Sequence, residues 1–212
     1  MVSAYAVINA VAPTPTIQIT TDSNTDHVIS AAEQGAATTD NVRVGLPTTA
    51  QVGETLTITD GTTPQSHVLT AADITAGHYD TSFAKPGEGA TLTVSTTLTD
   101  LQGNVSPSAS AAAVLDTVAP TPTIQITTDS NTDHVISAVE QGAATTDSVR
   151  VGLSATAKAG ETLSITDGTS VQSHVLSDAD ITAHYFDTSF VKPGEGSTLT
   201  VSATLTDLVG NV

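Results

Sequence analysis

Short runs in which Thr and other polar residues alternate with Val, Ile and Leu recur along the whole chain. This period-two alternation predicts half-buried β-strands, and the turn residues between the runs predict short connections. In the first half of the chain the pattern predicts seven strands, here lettered A to G in order: Thr16–Thr21, Asn41–Leu46, Glu54–Thr59, Gln65–Leu69, His78–Phe83, Thr91–Thr99 and Ser108–Leu115.

The connections between these strands have their own signals. Ile29–Glu33 and Ala71–Thr75 are predicted to form single helical turns, and Asp60-Gly61 a tight hairpin turn. Within their strands, the alternation predicts that His67 and His174 face solvent. Seven strands in about 105 residues are typical of an immunoglobulin-like sandwich, so an all-β fold is expected.

The chain contains this pattern twice. Val11–Val105 and Val118–Val212 align without a gap at a spacing of 107 residues, with 77 identities in 95 positions. The sequence therefore predicts two tandem immunoglobulin-like β-sandwiches of about seven strands each. The predicted division is a last strand of a preceding repeat or an orphan segment at 1–11, a first repeat at 12–116, a proline-containing linker at 117–122, and a second repeat at 123–212 that lacks its final strand.

Composition and charge exclude several classes of function. The chain has no cysteine, so disulfides and thiol chemistry are excluded. Its 22 Asp and Glu against 5 Lys and Arg give a net charge of −17, which disfavours nucleic acid and anionic lipid and favours cations as partners. No apolar run is long enough to span a bilayer, and the first residues lack the basic start of a signal peptide, so membrane insertion is not expected and no export signal is encoded here.

The sharpest local signal is an acidic loop present in both repeats. Oxygen-bearing residues at relative positions 1, 3, 5 and 12 match the spacing of an EF-hand calcium loop, although His27 and His134 stand at position 6, where glycine is usual. The alternative is that these side chains only form Asx-turns and cap the helical turn. The candidate calcium ligands are Asp22, Asn24, Asp26 and Glu33, and their copies Asp129, Asn131, Asp133 and Glu140.

A second candidate site lies where the repeats follow one another. Because alternate strands run in opposite directions, the A–B, C–D and E–F loops are expected at the exit end of a sandwich and the B–C, D–E and F–G loops at its entry end. This places Asp116, at the exit of the first repeat, towards Asp207 and Asn211 in the F–G loop of the second. A calcium ion at this junction is one prediction, and a plain turn around Gly210 is the alternative.

Catalysis is not expected from this sequence. It contains no G-x-S-x-G, no H-E-x-x-H and no glycine-rich phosphate loop, and none of the six histidines has a metal-binding partner at helical spacing. The chain is predicted not to be an enzyme.

Four segments together resemble a known family. They are the Val-Ala-Pro-Thr-Pro-Thr-Ile opening, the D-x-N-x-D-x-x-I-x-A-x-E loop, the T-D-x-x-G-N-V loop and the V-L-D-T-V-A-P exit. This combination resembles the bacterial Ig-like extender repeats of giant RTX-type, type I secreted adhesins of Gram-negative bacteria. The resemblance implies a stalk of tandem sandwiches, stiffened by calcium at and near the junctions, that projects an adhesive tip from the cell surface.

The sequence thus predicts a non-catalytic spacer of an extracellular, cell-surface adhesin that serves adhesion or biofilm formation. Its expected partners are calcium and neighbouring repeats of the same polypeptide, with any adhesive ligand bound elsewhere in the full-length protein. The competing interpretation is an Ig-like module that itself binds a glycan or a host surface protein. Near-identity of the copies favours the spacer, although multivalent binding could use the same arrangement.

Overall fold

The computed structural model describes residue 3 and residues 11–212. The chain divides into two compact units, which separate between Thr117 and Val118 and are described here one at a time. The segment predicted at 1–11 as a last strand of a preceding repeat or an orphan segment lies outside the described residues, except for residues 3 and 11.

The described residues of unit one form eight strands and two short helices. The elements in chain order are β1 Thr16–Ile19, β2 Val28–Ile29, α1 Ala31–Gln34, β3 Thr39–Gly45, β4 Thr55–Thr59, β5 Gln65–Val68, α2 Ala71–Ala76, β6 His78–Ala84, β7 Thr91–Thr99 and β8 Ala109–Leu115. Every strand predicted for this unit is present with its bounds shifted by at most two residues, and β2 is an additional two-residue strand.

Unit two has six strands and two helices in the same order. They are β9 Thr123–Ile126, α3 Ala138–Gln141, β10 Thr146–Gly152, β11 Thr162–Thr166, β12 Val171–Val175, α4 Asp178–Ala183, β13 Tyr185–Val191 and β14 Ser202–Thr206. Among the described residues of this unit, no strand corresponds to β2 or β8.

Two sheets face each other in unit one. One has the order β1-β3-β6 and the other β2-β8-β7-β4-β5. Among the described strands of this unit, all pairings are antiparallel except that of β2 with β8, which is parallel and joins Val28 to Val114 and Ile29 to Leu115. Unit two repeats the arrangement with sheets β13-β10-β9 and β12-β11-β14. The prediction of an all-β, immunoglobulin-like sandwich fold is confirmed.

Aliphatic side chains from the inward faces of both sheets fill the core. In β7 and β4 every second residue is buried, which is the alternation seen in the sequence. The side chains of Ile29, Leu56, Ile58, Leu98 and Leu115 are 0% exposed. Because the core holds few aromatic rings, its stability depends on close contact between many small aliphatic groups.

Two predictions about local structure are wrong. Asp60-Gly61 does not form a two-residue hairpin turn, because β4 and β5 are joined by five residues and Asp60 Oδ1 accepts hydrogen bonds from the backbone N–H of Thr62 and Thr63.

His67 and His174 are not simply turned to solvent. The ring of His67 stacks on Tyr79 with centroids 3.8 Å apart, and the ring of His174 stacks on Phe186 at 3.9 Å.

Each helix begins with a capping box. Ser30, Thr70, Ser137 and Ser177 accept a hydrogen bond from the N–H three residues on, and the acidic residue at that position bonds back to the cap. These helices have only four or six residues, so the caps supply much of their hydrogen bonding. Within the described part of the chain, no helix is long and apolar enough to cross a membrane.

The two units differ in how the second helix ends. Gly77 ends α2 in the left-handed conformation with φ 73°, whereas His184 holds the same position after α4 with φ 63°. Glycine adopts this conformation without a steric penalty, and a residue with a Cβ does not. Unit two therefore carries backbone strain that unit one avoids.

Replacing His184 with Gly is expected to raise the free energy of unfolding of unit two by about 0.5–1 kcal/mol, since relief of strain exceeds the added chain entropy of glycine. The matched change Gly77→His should lower the stability of unit one by a similar amount, and a Cβ there meets no atom within 4 Å. Amide exchange of β10 and β3 measures the two units separately. Equal protection in wild type and both variants would contradict this interpretation.

Candidate functional site

The acidic loop of unit one is a closed network of side-chain to backbone hydrogen bonds. Asp22 Oδ2 accepts from the N–H of His27 at 3.0 Å, Asn24 Oδ1 from that of Asp26 at 2.9 Å, and Asp26 Oδ1 from that of Val28 at 2.8 Å. Asn24 Nδ2 also donates to Asp26 Oδ2 at 2.9 Å. The contacts of Asn24 and Asp26 to the N–H two residues on are Asx-turns, so the structure shows the geometry of the alternative that the sequence left open.

Glu33 ties the two ends of the loop together from the first turn of α1. Its Oε1 accepts from the N–H and the hydroxyl of Ser23, both at 3.0 Å, and its Oε2 from the N–H and the hydroxyl of Ser30. Burial tends to raise the pKa of Glu33, but the hydrogen bonds from Ser30, Ser23 and Asn24 outweigh it and lower the pKa below its ordinary value. The carboxylate is therefore charged in the loop at neutral pH.

The copy in unit two repeats these contacts. Asp129 Oδ2 accepts from His134 N–H at 2.9 Å, Asn131 and Asp133 bond to each other, and Glu140 bonds to Ser130 and Ser137. Hydrogen bonds from the backbone and hydroxyl of Ser137 lower the pKa of Glu140 to about 2. Two independent copies thus hold the four residue types of the predicted site in one loop.

Two features of the loop favour the binding of a cation. Asp22 is 4% exposed, and its Oδ1 is buried without a hydrogen-bond partner. At position 6, where an EF-hand loop needs glycine, His27 has φ 68° and His134 has φ 67°, so the left-handed turn is present despite the side chain. Within residues 11–212, however, no three Asp, Glu or His side chains converge closely enough to form a metal site.

Hydrogen bonds to the last strand fix the loop at the exit end of unit one. Val114 N–H donates to His27 O at 2.9 Å and Asp116 N–H to Ile29 O at 3.0 Å. The E–F loop reaches the same end, because Thr117 N–H donates to Glu88 Oε1 at 2.8 Å. At the other end, a Cβ on Gly53 of the B–C loop would lie 3.3 Å from Leu101 of the F–G loop. For these four loops, the strand-parity assignment agrees with the structure.

The predicted calcium ligands at the junction, Asp116, Asp207 and Asn211, include two residues that form one closed turn. Asp207 Oδ1 accepts from the N–H of Val209 and of Asn211, and Asp207 Oδ2 accepts from Asn211 Nδ2 at 2.7 Å. Gly210 supplies the left-handed residue with φ 91°. This is the plain turn that the sequence allowed as the alternative. Asp116 belongs to unit one, and a calcium ion shared by Asp116, Asp207 and Asn211 stays a prediction.

A buried carboxylate beside the acidic loop was missed by the sequence analysis. Asp40 in β3 is 0% exposed, and Asp147 in β10 is 1% exposed; both oxygens of each carboxylate lack a hydrogen-bond partner of normal geometry. Gln34 Oε1 is also buried and unpartnered. Burial raises the pKa of Asp40, although Thr21 and Lys85 act in the opposite direction. Strand alternation was the available signal, because Asp40 lies on the same face of β3 as Val42 and Val44.

A histidine contact in each unit was also missed. His67 Nε2 lies 2.9 Å from Asp73 Oδ2 of the capping box of α2, and His174 lies 2.9 Å from Asp180. Hydrogen bonds from Thr70 and His67 lower the pKa of Asp73 to about 2. Together with the ring stacking, this contact links β5, α2 and β6, so these histidines have a structural role.

No protein-family model and no curated protein matches the chain. The solved structures that are similar to it include the following three. One, described as a structural insight into host cell surface retention of a 1.5-MDa bacterial ice-binding adhesin, has a TM-score of 0.48 and 20% identity over 96% of this chain and 62% of that chain. The fibronectin(III)-like modules of Clostridium thermocellum CbhA have a TM-score of 0.40 and 11% identity over 92% and 88%.

The third is a tetra-tandem repeat in the extending region of a large adhesion protein, with a TM-score of 0.33 and 24% identity over 93% of this chain and 46% of that chain. The chain therefore spans less than two thirds of two of these three structures. Similarities at this level do not define a function.

The Asp40→Asn variant should raise the free energy of unfolding of unit one at pH 7 by about 1 kcal/mol, because it removes a buried unpaired charge. Since burial raises the pKa of Asp40 above its ordinary 3.8, the folded state binds the proton more tightly and stability falls as pH rises between the two values. The gain in the free energy of unfolding from Asp40→Asn should therefore vanish at pH values below the ordinary pKa of 3.8. Denaturant unfolding at several pH values measures it.

The control is Asn41→Asp, which places a carboxylate at the adjacent exposed position of β3. It should leave the pH dependence of stability nearly unchanged. An Asp40→Asn variant that is less stable than wild type at pH 7 would show that the buried charge has a favourable partner.

Proposed function

We propose that this chain is a non-catalytic spacer from a large bacterial cell-surface adhesin, in which tandem sandwiches project an adhesive tip for adhesion or biofilm formation. The observation that carries the proposal is the gapless repetition of one sandwich, with 77 identities in 95 aligned positions and a separate buried core in each copy. A stalk needs many equivalent units, each of which is stable by itself.

The surface of the units supports a spacer more than a binding module. Protein and glycan recognition sites are enriched in exposed aromatic side chains, and the chain has three Tyr, three Phe and no Trp. Of these, Phe83 and Phe190 are buried in the cores, and Tyr79 and Phe186 stack on histidines. Few aromatic side chains are left to form a binding site for a glycan or a host protein.

Calcium binding at the acidic loops is the second part of the proposal. The unpartnered Oδ1 of Asp22 gives the loop an unused acceptor, and the left-handed turn at His27 matches the EF-hand position that is normally glycine. Asp22, Asn24, Asp26 and Glu33 would hold the ion in unit one, and their copies in unit two. A bound cation would offset part of the net charge of −17 and fix the loop.

The hydrogen bonds already formed within the acidic loop oppose calcium binding. All four side chains already accept backbone N–H groups, so an ion has to compete with these contacts for the same oxygens. An irregular loop can rearrange to the six to eight ligands of calcium more readily than to the strict octahedron of magnesium. Calcium is therefore expected to stabilise the units more than magnesium.

The spacer role is tested with arrays of one, two and four copies of the 107-residue repeat. In calcium, small-angle scattering should show a maximum dimension that increases in proportion to copy number. Arrays that collapse into compact particles would contradict the proposal. Saturable binding to glycan arrays or host surface proteins, with affinity rising with copy number, would instead support the binding module.

The calcium site is tested by Asp22→Asn combined with Asp26→Asn. Wild-type protein should melt at a higher temperature in millimolar calcium than in chelator, by an amount that corresponds to about 2.7 kcal/mol when free calcium is 100 times the Kd. In the variant, the amide signal of His27 should no longer respond to calcium while that of His134, in the unchanged loop of unit two, still does.

The matched control is Asp60→Asn, which makes the same substitution in an Asx-turn outside the acidic loop. It should respond to calcium like wild type. Identical melting curves of the wild type in chelator and in calcium would refute the calcium part of the proposal and leave the spacer role open.

A further inference from the structure

Four buried oxygen atoms on the inner side of the acidic loop of unit one lack a hydrogen-bond partner of normal geometry among the described residues. They are Asp22 Oδ1, Gln34 Oε1 and both carboxylate oxygens of Asp40. The three residues are 4%, 3% and 0% exposed, so bulk water does not solvate these atoms. Buried polar atoms in folded proteins nearly always have a partner, so a group of them points to a ligand.

These side chains belong to segments that lie next to one another. The chain that leads into the acidic loop runs beside β3, since Thr20 N–H donates to Asn41 O at 2.8 Å and Asn41 N–H donates to Thr21 Oγ1 at 2.7 Å. The side chain of Gln34 reaches the connection into β3, where its Nε2 donates to Ala37 O at 3.0 Å. The acceptors are therefore placed together between the acidic loop, α1 and β3.

The second copy shows the same convergence. Asp129, Gln141 and Asp147 line one cavity of unit two. Gln141 Nε2 reaches the carbonyl oxygen of Thr146, the residue before Asp147, at 3.4 Å. Both oxygens of Asp147 are again unpartnered, whereas Asp129 Oδ1 accepts from the N–H of Asp133 at 3.2 Å. In the described structure, the complete set of unpartnered oxygens is therefore found in unit one.

Neither a proton nor a water molecule satisfies this set of acceptors. One proton held between two oxygens leaves the other two without a partner, and a water molecule donates two hydrogens but offsets no charge. Burial raises the pKa of Asp40, and the Thr21 hydroxyl and Lys85 offset this only in part. Lys85 is exposed, and neither oxygen of Asp40 accepts a hydrogen bond from it. Two carboxylates in a dry interior require a cation.

Calcium matches the set in ligand type and in charge. It binds carboxylate and amide oxygens in flexible geometry and completes its coordination with backbone carbonyls and waters, whereas magnesium demands a near-ideal octahedron. Its two positive charges balance the carboxylates of Asp22 and Asp40. Because the set has two carboxylates and one amide, it is compatible with the finding that no three acidic or histidine side chains converge within residues 11–212.

We propose that unit one binds a calcium ion in its interior, between the acidic loop, α1 and β3, through Asp22, Gln34 and Asp40. This site is separate from the one proposed for the acidic loop and shares only Asp22 with it. The Oδ2 atom of Asp22 accepts from His27 N–H in the loop, while its Oδ1 atom is buried and unpartnered. The ion converts the buried carboxylate of Asp40 from a destabilising charge into a link between β3 and α1.

The test uses Asp26→Asn as the parent, since this change removes a ligand of the acidic-loop site and none of the interior site. Amide exchange of β3 is measured in chelator and in calcium at constant ionic strength. Calcium should slow this exchange by about 100-fold when free calcium is 100 times the Kd. Adding Asp40→Asn, or separately Gln34→Leu, should remove the effect of calcium. In chelator, by contrast, the added Asp40→Asn should slow exchange, because the unpaired charge is gone.

The matched control adds Asn41→Asp to the same parent, which changes the charge at the adjacent exposed position of β3 and should keep the full response to calcium. In Asp40→Asn alone, the amide signal of Val28, which donates to Asp26, should still respond to calcium, so the two sites are judged separately. A parent whose β3 amides gain no protection in calcium overturns the proposal. A gain that persists after Asp40→Asn is added, or an equal gain in sodium, also overturns it.

Discussion

Parallel pairing of β2 with the end of β8 is the interaction on which most features of unit one depend. Only two residues of β2 take part, and they join the A–B connection to the last strand at Val114 and Leu115. This contact buries Ile29 and holds the acidic loop, the E–F loop and Asp116 at one end of the sandwich. In unit two, where the described residues contain no such strand, Ile136 is partly exposed.

The acidic residues have a structural role even without a bound ion. A carboxylate that accepts two or three backbone N–H groups replaces solvent with fixed dipoles, which keeps it charged inside a folded loop. Glu33 and Asp60 have a lowered pKa for this reason, whereas the pKa of Asp73 is lowered chiefly by the hydroxyl of Thr70, with help from His67. The few basic groups act in a different way, since Arg43 and Arg150 form bidentate pairs with Asp80 and Asp187 across neighbouring strands. Most of the net negative charge therefore remains for mobile or bound cations to balance.

The two copies also show how near-identical sequences differ in contacts that affect stability. His184 in place of Gly77 adds backbone strain, while Tyr185 in place of His78 brings a ring over Arg150, whose guanidinium carbon lies 3.7 Å from the ring centroid. Asp40 and Asp147, by contrast, are buried alike in both units. A buried unpaired carboxylate lowers stability, so its presence in both copies marks it as the clearest place where the fold departs from the most stable sequence.

The sequence by itself determined the repeat, the strand positions, the helical turns and the composition of the acidic loop. These features depend on neighbours in the chain, because strand alternation and turn chemistry act over a few residues. Only the tertiary structure decided that the oxygens of Asp22, Asn24 and Asp26 are directed to backbone N–H groups, that His67 stacks on Tyr79, and that Asp40 is buried. The hydrogen bonds of the acidic loop join residues two to five apart, and the sequence left them open as one of two alternatives. The other two features depend on contacts between segments farther apart in sequence, and a pattern within one strand does not specify which distant residue its side chains will meet.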